Sequence, residues 1–440
     1  MRLERGFSWD QQKENRSMKR NLIIAGIFVS ILGASFQLKR RAVVEAAAVQ
    51  APRFEVDPLW PKPLPNHWVM GSTVGVSVDA DDHVWIVHRG NNDPGELKAE
   101  TSPQQTECCY KAPFVMEFDQ AGNLLRHWGG PGEGYDWPQD MHGITIDFKG
   151  NVWLGASGVG AVGAPARPSA PPGRGGGTRV PRVKGENDLT APLHDEMILK
   201  FTRDGKFLLQ IGKPGQSKGS NDPENVRKAA KIFVDPKTDE AYVADGYGNH
   251  RVIVFDAETG KYKRHWGAYG NKPEDKYLGE YNPDAPPAQQ FGNPVHCADV
   301  SNDNLVYVCD RINDRIQVFR PDGTFVKEAF IAKKTLAEGS VWDIAFSKDP
   351  AQKYIYVADG ANEKIWILER DTLQILTSFG DGGRQPGQFY EVHNLAVDSK
   401  GNLYSTETTN GHRLQRFLYK GLAPVTKMDQ GVVWPKTSAK

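Results

Sequence analysis

One repeat, recurring six times after residue 50, constrains the fold of this 440-residue chain more than any other feature. Each copy is an alternating apolar strand ending in Asp or Ser, a Gly or Asp/Asn turn, a second strand, a polar loop and a third strand. A fourth strand ending in Trp-Gly or Phe-Gly often follows. The first strands run Val74 to Asp79, His142 to Asp147, Ala230 to Asp235, His296 to Ser301, Trp342 to Ser347 and His393 to Asp398. A four-stranded copy cannot bury both faces alone, whereas radial stacking buries each against its neighbours. The expected fold is all-β, a six-bladed β-propeller. The sixth copy lacks an evident fourth strand, so the stretch from Phe54 to Trp60 is expected to close the ring from the N-terminal side.

Composition agrees with this reading and excludes others. The 45 Gly and 29 Pro suit a turn-rich chain, and 11 Trp, 14 Tyr and 19 Phe supply its core. Lys+Arg and Asp+Glu balance at 54 each, leaving no net field to attract nucleic acid. At the N-terminus, Lys19 and Arg20 precede an apolar run from Leu22 to Phe36, which has the length of a signal-peptide core and is short for a membrane span. Lys39, Arg40 and Arg41 give it a stop-transfer flank, and Met18 offers an alternative start. Residues 1–50 are therefore expected to be a signal peptide or membrane anchor with linker. Residues 51–430 are the expected propeller and 431–440 a tail. The expected product is an exported monomer, periplasmic or extracellular, membrane-bound only if the N-terminal segment is retained. Two insertions break the rhythm: 157–190, Gly/Pro-rich with four Arg and read as flexible, and 266–292, aromatic enough to pack over one face.

Aligning the repeats exposes candidate chemistry. The position five residues before the terminal Asp or Ser holds Val74, His142, Ala230, His296, Trp342 and His393, so histidine occupies repeats two, four and six. Innermost strands line the channel of a propeller, and equivalent positions in alternate blades lie about 120° apart around it. Three imidazoles converging there make a facial nitrogen set suited to a divalent ion, zinc above all, with a position left open for water or substrate. Other histidines have structural readings: His127 and His265 as packing groups, and His67, His83, His194 and His412 in loops or turns. His88 and His250 are left undecided.

Second-strand ends on the same rim carry Arg89, Tyr247 and Arg311. A tyrosine beside cations can be drawn down toward use as a general base. Arg251, Arg315, Lys364 and Arg413 recur from copy to copy and read as loop braces, whereas Arg89 and Tyr247 do not recur.

These residues carry a resemblance. From about Val74 to Arg413 the copies resemble NHL repeats, and the set is similar to the peptidyl-α-hydroxyglycine α-amidating lyases, propeller enzymes that release glyoxylate and leave a peptide amide. The resemblance implies zinc on His142, His296 and His393, proton abstraction assisted by Tyr247, and Arg89 and Arg311 stabilising the tyrosinate and the substrate's negative charge. It implies a peptide or small-molecule substrate.

The chain departs from the family pattern at several places. Asn394 stands where the family has a calcium-binding Asp, which puts calcium in doubt, although main-chain oxygens at positions such as Val76 and Ile144 could contribute. Gly248 replaces a disulfide cysteine, the basic insertion is foreign, and there is no monooxygenase domain. A related α-hydroxy amide is thus an alternative substrate, and a noncatalytic NHL propeller binding a protein or glycan is an alternative function. A lactonase-like propeller is disfavoured, because such channels use carboxylates and Asn around calcium. Cys297 and Cys309 are expected to face each other across the Asn302-Asp303-Asn304 loop, bonded or reduced. The adjacent Cys108 and Cys109 are read as packing or loop residues, since a vicinal bond is rare.

Overall fold

Strand ends in three of the six repeats are set by one local device. The aspartate closing a first strand accepts hydrogen bonds from turn amides and from an aromatic residue six positions on. Asp79 takes the Trp85 indole, Asp147 the Trp153 indole and Asp398 the Tyr404 hydroxyl, at 2.9, 2.9 and 3.0 Å. The same carboxylates accept from the main-chain N–H groups of His83, Asn151 and Asn402, which pins each turn and hence the register of the hairpin.

The computed structural model describes residues 49–89, 107–158 and 195–435. The apolar run from Leu22 to Phe36 and nearly all of the 157–190 insertion lie outside the described residues. Among the described residues no helix is long and apolar enough to cross a membrane.

Six four-stranded antiparallel sheets form the blades. The inner strands, in blade order, are Thr73–Val78, Met141–Ile146, Ala229–Asp235, Val295–Val300, Asp343–Phe346 and Val392–Val397. Each contacts the inner strands of its two neighbours, and the sixth returns to the first. Second strands such as Val84–His88 and Tyr354–Asp359 are buried along their whole length, because both faces lie against adjacent blades. Outer strands such as Leu124–Trp128 alternate with solvent.

The hydrophobic core accordingly falls into six clusters, one for each interface between adjacent blades. Ring closure comes from Gln50–Asp57, which pairs with Arg413–Pro424 as the outer strand of blade six. This closing strand begins four residues earlier than the sequence reading placed it.

One further expectation is corrected. Cys108 and Cys109 are joined as a vicinal disulfide, while Cys297 and Cys309, directly opposed in register, form the cross-strand bond. The 266–292 segment packs through Trp266, Tyr269 and Phe291 and is also held by hydrogen bonds: Arg315 Nη2 donates to the carbonyls of Ala288 and Gln290, and the Tyr281 hydroxyl donates to Lys333 O. Tyr277 stays 60% exposed.

Phe54 tests the closing strand. It is buried, with its ring 5.3 Å from Tyr356 and 5.4 Å from Phe379. Phe54→Ala is expected to cost about 3–5 kcal/mol, read as a lowered denaturant midpoint; an unchanged midpoint would show that closure does not depend on this strand.

Candidate functional site

The backbone at the repeat position is irregular in five of the six inner strands, and that irregularity aims the side chains. Pairing skips Val74, Ala230 and His296, and skips the pairs beginning at His142 and His393, each time leaving a bulge. A bulge bends its strand and redirects one side chain, here toward the axis. Gly143 is required at the blade-two bulge, since a Cβ there would lie 2.4 Å from Ala230 O.

His142, His296 and His393 are buried together, with ring centroids 4.8–5.0 Å apart and one ring nitrogen from each within 4.8 Å of the others. Each Nδ1 faces the main-chain oxygen at the repeat position of the next blade: Ala230 O at 2.8 Å from His142, Val74 O at 3.0 Å from His393, and Trp342 O beside His296. A carbonyl only accepts, so all three Nδ1 atoms carry the hydrogen and all three Nε2 atoms present lone pairs.

Tyr247 follows the second strand of blade three, at the channel mouth. Its Oη lies 3.0 Å from His142 Nε2 and 2.9 Å from His296 Nε2, and it accepts from Arg311 Nη1 at 3.0 Å. The preceding Gly246 permits this approach, because a Cβ would lie 2.1 Å from the Val295 main chain. Tyr247 has one hydrogen to offer two imidazole acceptors, so an electron pair remains for an electrophile. Three neutral imidazoles with converging lone pairs fit a divalent metal ion, and no other group among the described residues gathers three buried histidines.

The two arginines are held differently. Arg311 donates through Nε to Glu338 O at 2.9 Å, pairs through Nη2 with the Glu338 carboxylate, and lies 4.3 Å over the Trp342 ring. Arg89 is anchored to blade two, through Asp140 Oδ1 at 3.0 Å, Met141 O at 3.1 Å and Ser157 Oγ at 3.1 Å. All the sequence-predicted site residues therefore meet at one end of the channel. Glu338 and Asp140 were not found from sequence, because neither sits at a repeated position. Trp342 was aligned with the histidines but assigned no role.

Burial dominates the electrostatics. It pushes His142 and His296 well below the ordinary imidazole range, helped by their neighbouring histidines, and it lowers His393 to about 3, with Arg89 and Arg311 adding to the effect. Tyr247 moves upward: burial outweighs the opposing charges of Arg311 and Arg89, contrary to the lowering expected from sequence. The undecided histidines are structural. His88 donates through Nε2 to Pro113 O at 2.9 Å and is lowered to about 4 by burial, while His250 Nδ1 donates to Phe291 O at 2.9 Å. Arg251 and Arg315 brace loops as expected, each on the aspartate ending its blade's second strand, Asp245 or Asp310.

The groups around Asn394 do not suit calcium. Asn394 is neutral, and the nearby Asp343 carboxylate already accepts the Lys231 ammonium at 2.7 Å.

No family model matches the chain. It is 24% identical over 387 residues to peptidyl-alpha-hydroxyglycine alpha-amidating lyase 1 of Drosophila melanogaster, covering 83% of this chain and 59% of that protein. It is 32% identical over 262 residues to the peptidyl-glycine alpha-amidating monooxygenase of Mus musculus, covering 59% of this chain and 22% of that protein. The chain is a distant relative of the amidating lyases. It is related likewise to NHL-repeat proteins, with 22% identity to mouse NHL repeat-containing protein 3 over 74% of this chain and 71% of that one. The chain thus spans less than two thirds of the fly lyase and about a fifth of the mouse monooxygenase. A solved streptogramin B lyase aligns over 84% of this chain and 98% of its own at 13% identity and a TM-score of 0.45, too faint a likeness to carry weight. Distant homology to amidating lyases supports a lyase-like enzyme.

Four buried neutral histidines, His88, His142, His296 and His393, make stability depend on pH. Unfolded imidazoles bind protons below about pH 6.5 and these do not, so stability of the metal-free protein should fall as pH drops from 7 toward 5.5, by up to about 1.4 kcal/mol per pH unit for each histidine. Denaturant titrations across this window check it; a flat profile would mean that the rings fold protonated.

Proposed function

We propose that this chain is a zinc-dependent lyase acting on a peptidyl-α-hydroxyglycine or a related α-hydroxy amide, releasing glyoxylate. One observation carries the proposal: three imidazole lone pairs converge beside a tyrosine hydroxyl that an arginine holds in place, in a chain related to amidating lyases.

Zinc, when bound by His142, His296 and His393, supplies Lewis acidity toward the substrate's hydroxyl oxygen. The remaining work belongs to the chain's own side chains. Tyr247, as the phenolate, takes the hydroxyl proton at Oη, and the charges of Arg311 and Arg89 favour that anion against the cost of burial. The electron pair of the broken O–H bond forms the aldehyde C=O of glyoxylate while the C–N bond breaks, and the departing amide nitrogen takes up a proton to give the peptide amide. The substrate's carboxylate adds an anion at the mouth where both guanidinium groups lie, and guanidinium is the side chain best matched to a carboxylate. Glu338, by hydrogen bonds, and Trp342, by ring contact, hold Arg311 and preserve its angle to Tyr247.

Three substitutions separate these roles in an assay of glyoxylate release from an α-hydroxyglycyl peptide. Tyr247→Phe should keep zinc and lose about 10²- to 10⁴-fold in rate, the usual worth of a positioned acid or base. His296→Ala should lose both metal and activity, since two imidazoles no longer fix the ion. Arg311→Ala should follow Tyr247→Phe rather than His296→Ala. Zinc-loaded wild type that releases no glyoxylate from any such peptide would reject the lyase reading and leave a metal-binding NHL propeller.

A further inference from the structure

Beneath the histidines a second polar chain crosses the channel, and the residues above do not account for it. Lys231, one position past the blade-three bulge, is buried and its ammonium donates to Asp343 Oδ1 at 2.7 Å and to Asp299 Oδ2 at 2.9 Å. Burial alone would lower its pKa, but the charges of Asp299 and Asp343 outweigh burial and raise it, so the lysine stays cationic. The other oxygen of Asp343 accepts from Asn394 Nδ2 and from the Leu395 amide, both at 2.9 Å. Asn394 then turns its carbonyl oxygen to His393 Nδ1 at 2.5 Å. Asp343, Asn394 and His393 are each 2% exposed or less, so no solvent competes for these bonds.

The directions of these bonds follow from chemistry. A carboxylate beside an ammonium is an acceptor only, so Asn394 must present its NH₂ to Asp343 and its oxygen to His393. That oxygen can only accept, which commits His393 Nδ1 to carrying the hydrogen. The chain starts in blade three, crosses blade five and ends in blade six.

We propose that Lys231, Asp343 and Asn394 form a charge-anchored relay that positions His393 as a metal ligand, fixing its ring angle and keeping its Nε2 lone pair directed at the centre. Among the described residues, His142 and His296 have their main-chain carbonyls alone for this purpose; His393 has both the Val74 carbonyl and the relay. Partners of this kind set the tautomer and basicity of metal-bound imidazoles, and their loss typically costs roughly 10- to 100-fold in metal affinity. The proposal rests on the zinc reading above, and its test is arranged so that the two fail separately.

The full chain, stripped of metal, is titrated with zinc against a chromophoric chelator, and its cobalt(II) form is examined by visible absorption. Asn394→Leu removes the last link without removing a charge; it should weaken zinc binding roughly 10- to 100-fold and shift the cobalt bands, with the metal-free thermal midpoint little changed. Asn394→Asp sets a second carboxylate against Asp343 and should weaken zinc as well. Lys231→Met tests the far end of the relay. It leaves two buried carboxylates without their cation, so Lys231→Met with Asp343→Asn accompanies it to keep a folded protein for measurement.

A folded Asn394→Leu protein that binds zinc within about twofold of wild type and keeps its cobalt spectrum would overturn the relay while the zinc reading stands. Loss of zinc accompanied by collapse of the metal-free thermal midpoint would assign Asn394 to folding and likewise overturn it. Wild type that binds no zinc would overturn both.

Discussion

The centre of this propeller depends on one hydrogen bond made three times, from the Nδ1 of a channel histidine to a main-chain oxygen of the next blade. The bond joins blades two to three, four to five and six to one, so each link bridges a boundary that packing must also close. It also fixes chemistry: with Nδ1 committed, Nε2 is left as a lone pair. A propeller holds its blades together by apolar contact, which is tolerant of small slips, whereas a metal site is not. Directional bonds between equivalent positions of adjacent blades convert a loosely specified ring into one with a defined centre.

Electrostatics at the mouth follow from what surrounds that centre. Neutral imidazoles and a protonated tyrosine carry no charge of their own, so Arg89 and Arg311 set the local field. Each is itself tethered to a carboxylate, Asp140 or Glu338, and that tether limits how far its charge reaches beyond the rim. An anion arriving in the channel therefore competes with built-in counterions. The blade-five tryptophan closes one side of the site, its ring beneath the Arg311 guanidinium and 5.6 Å from that of His393.

Much of this was legible in sequence because repeats compare a chain with itself. The alternation of Val74, His142, Ala230, His296, Trp342 and His393 at one position sufficed to bring three histidines to an axis, and the Asp or Ser ending each first strand marked its hairpin. Bulges were not legible, since a bulge leaves no compositional trace beyond a glycine such as Gly143. Glu338 and Asp140 lie in connections between blades, where no register relates one copy to another. The direction of the Tyr247 shift was missed because sequence shows charged neighbours but not how deeply a ring is buried. Lys231 and Asp343 looked like ordinary strand residues; their meeting joins blades three and five and has no counterpart in linear spacing.

Closure by the Gln50–Asp57 strand has a consequence for how the chain comes to be folded. Val56 N donates to Val433 O at 3.0 Å, and Arg53 Nη1 reaches Gln430 O, so this strand is bound to residues made 377 positions later in synthesis. During synthesis that strand has no partner, and blade six exists only as an edge until residues beyond 413 emerge. Long-range pairing of this kind is slow to form and leaves exposed strand edges while it waits. A chain released early would keep most of its blades and lose the ring, exposing apolar faces that the finished molecule never shows. Translation through the Arg413–Pro424 strand is thus built into the topology as a condition for a closed ring.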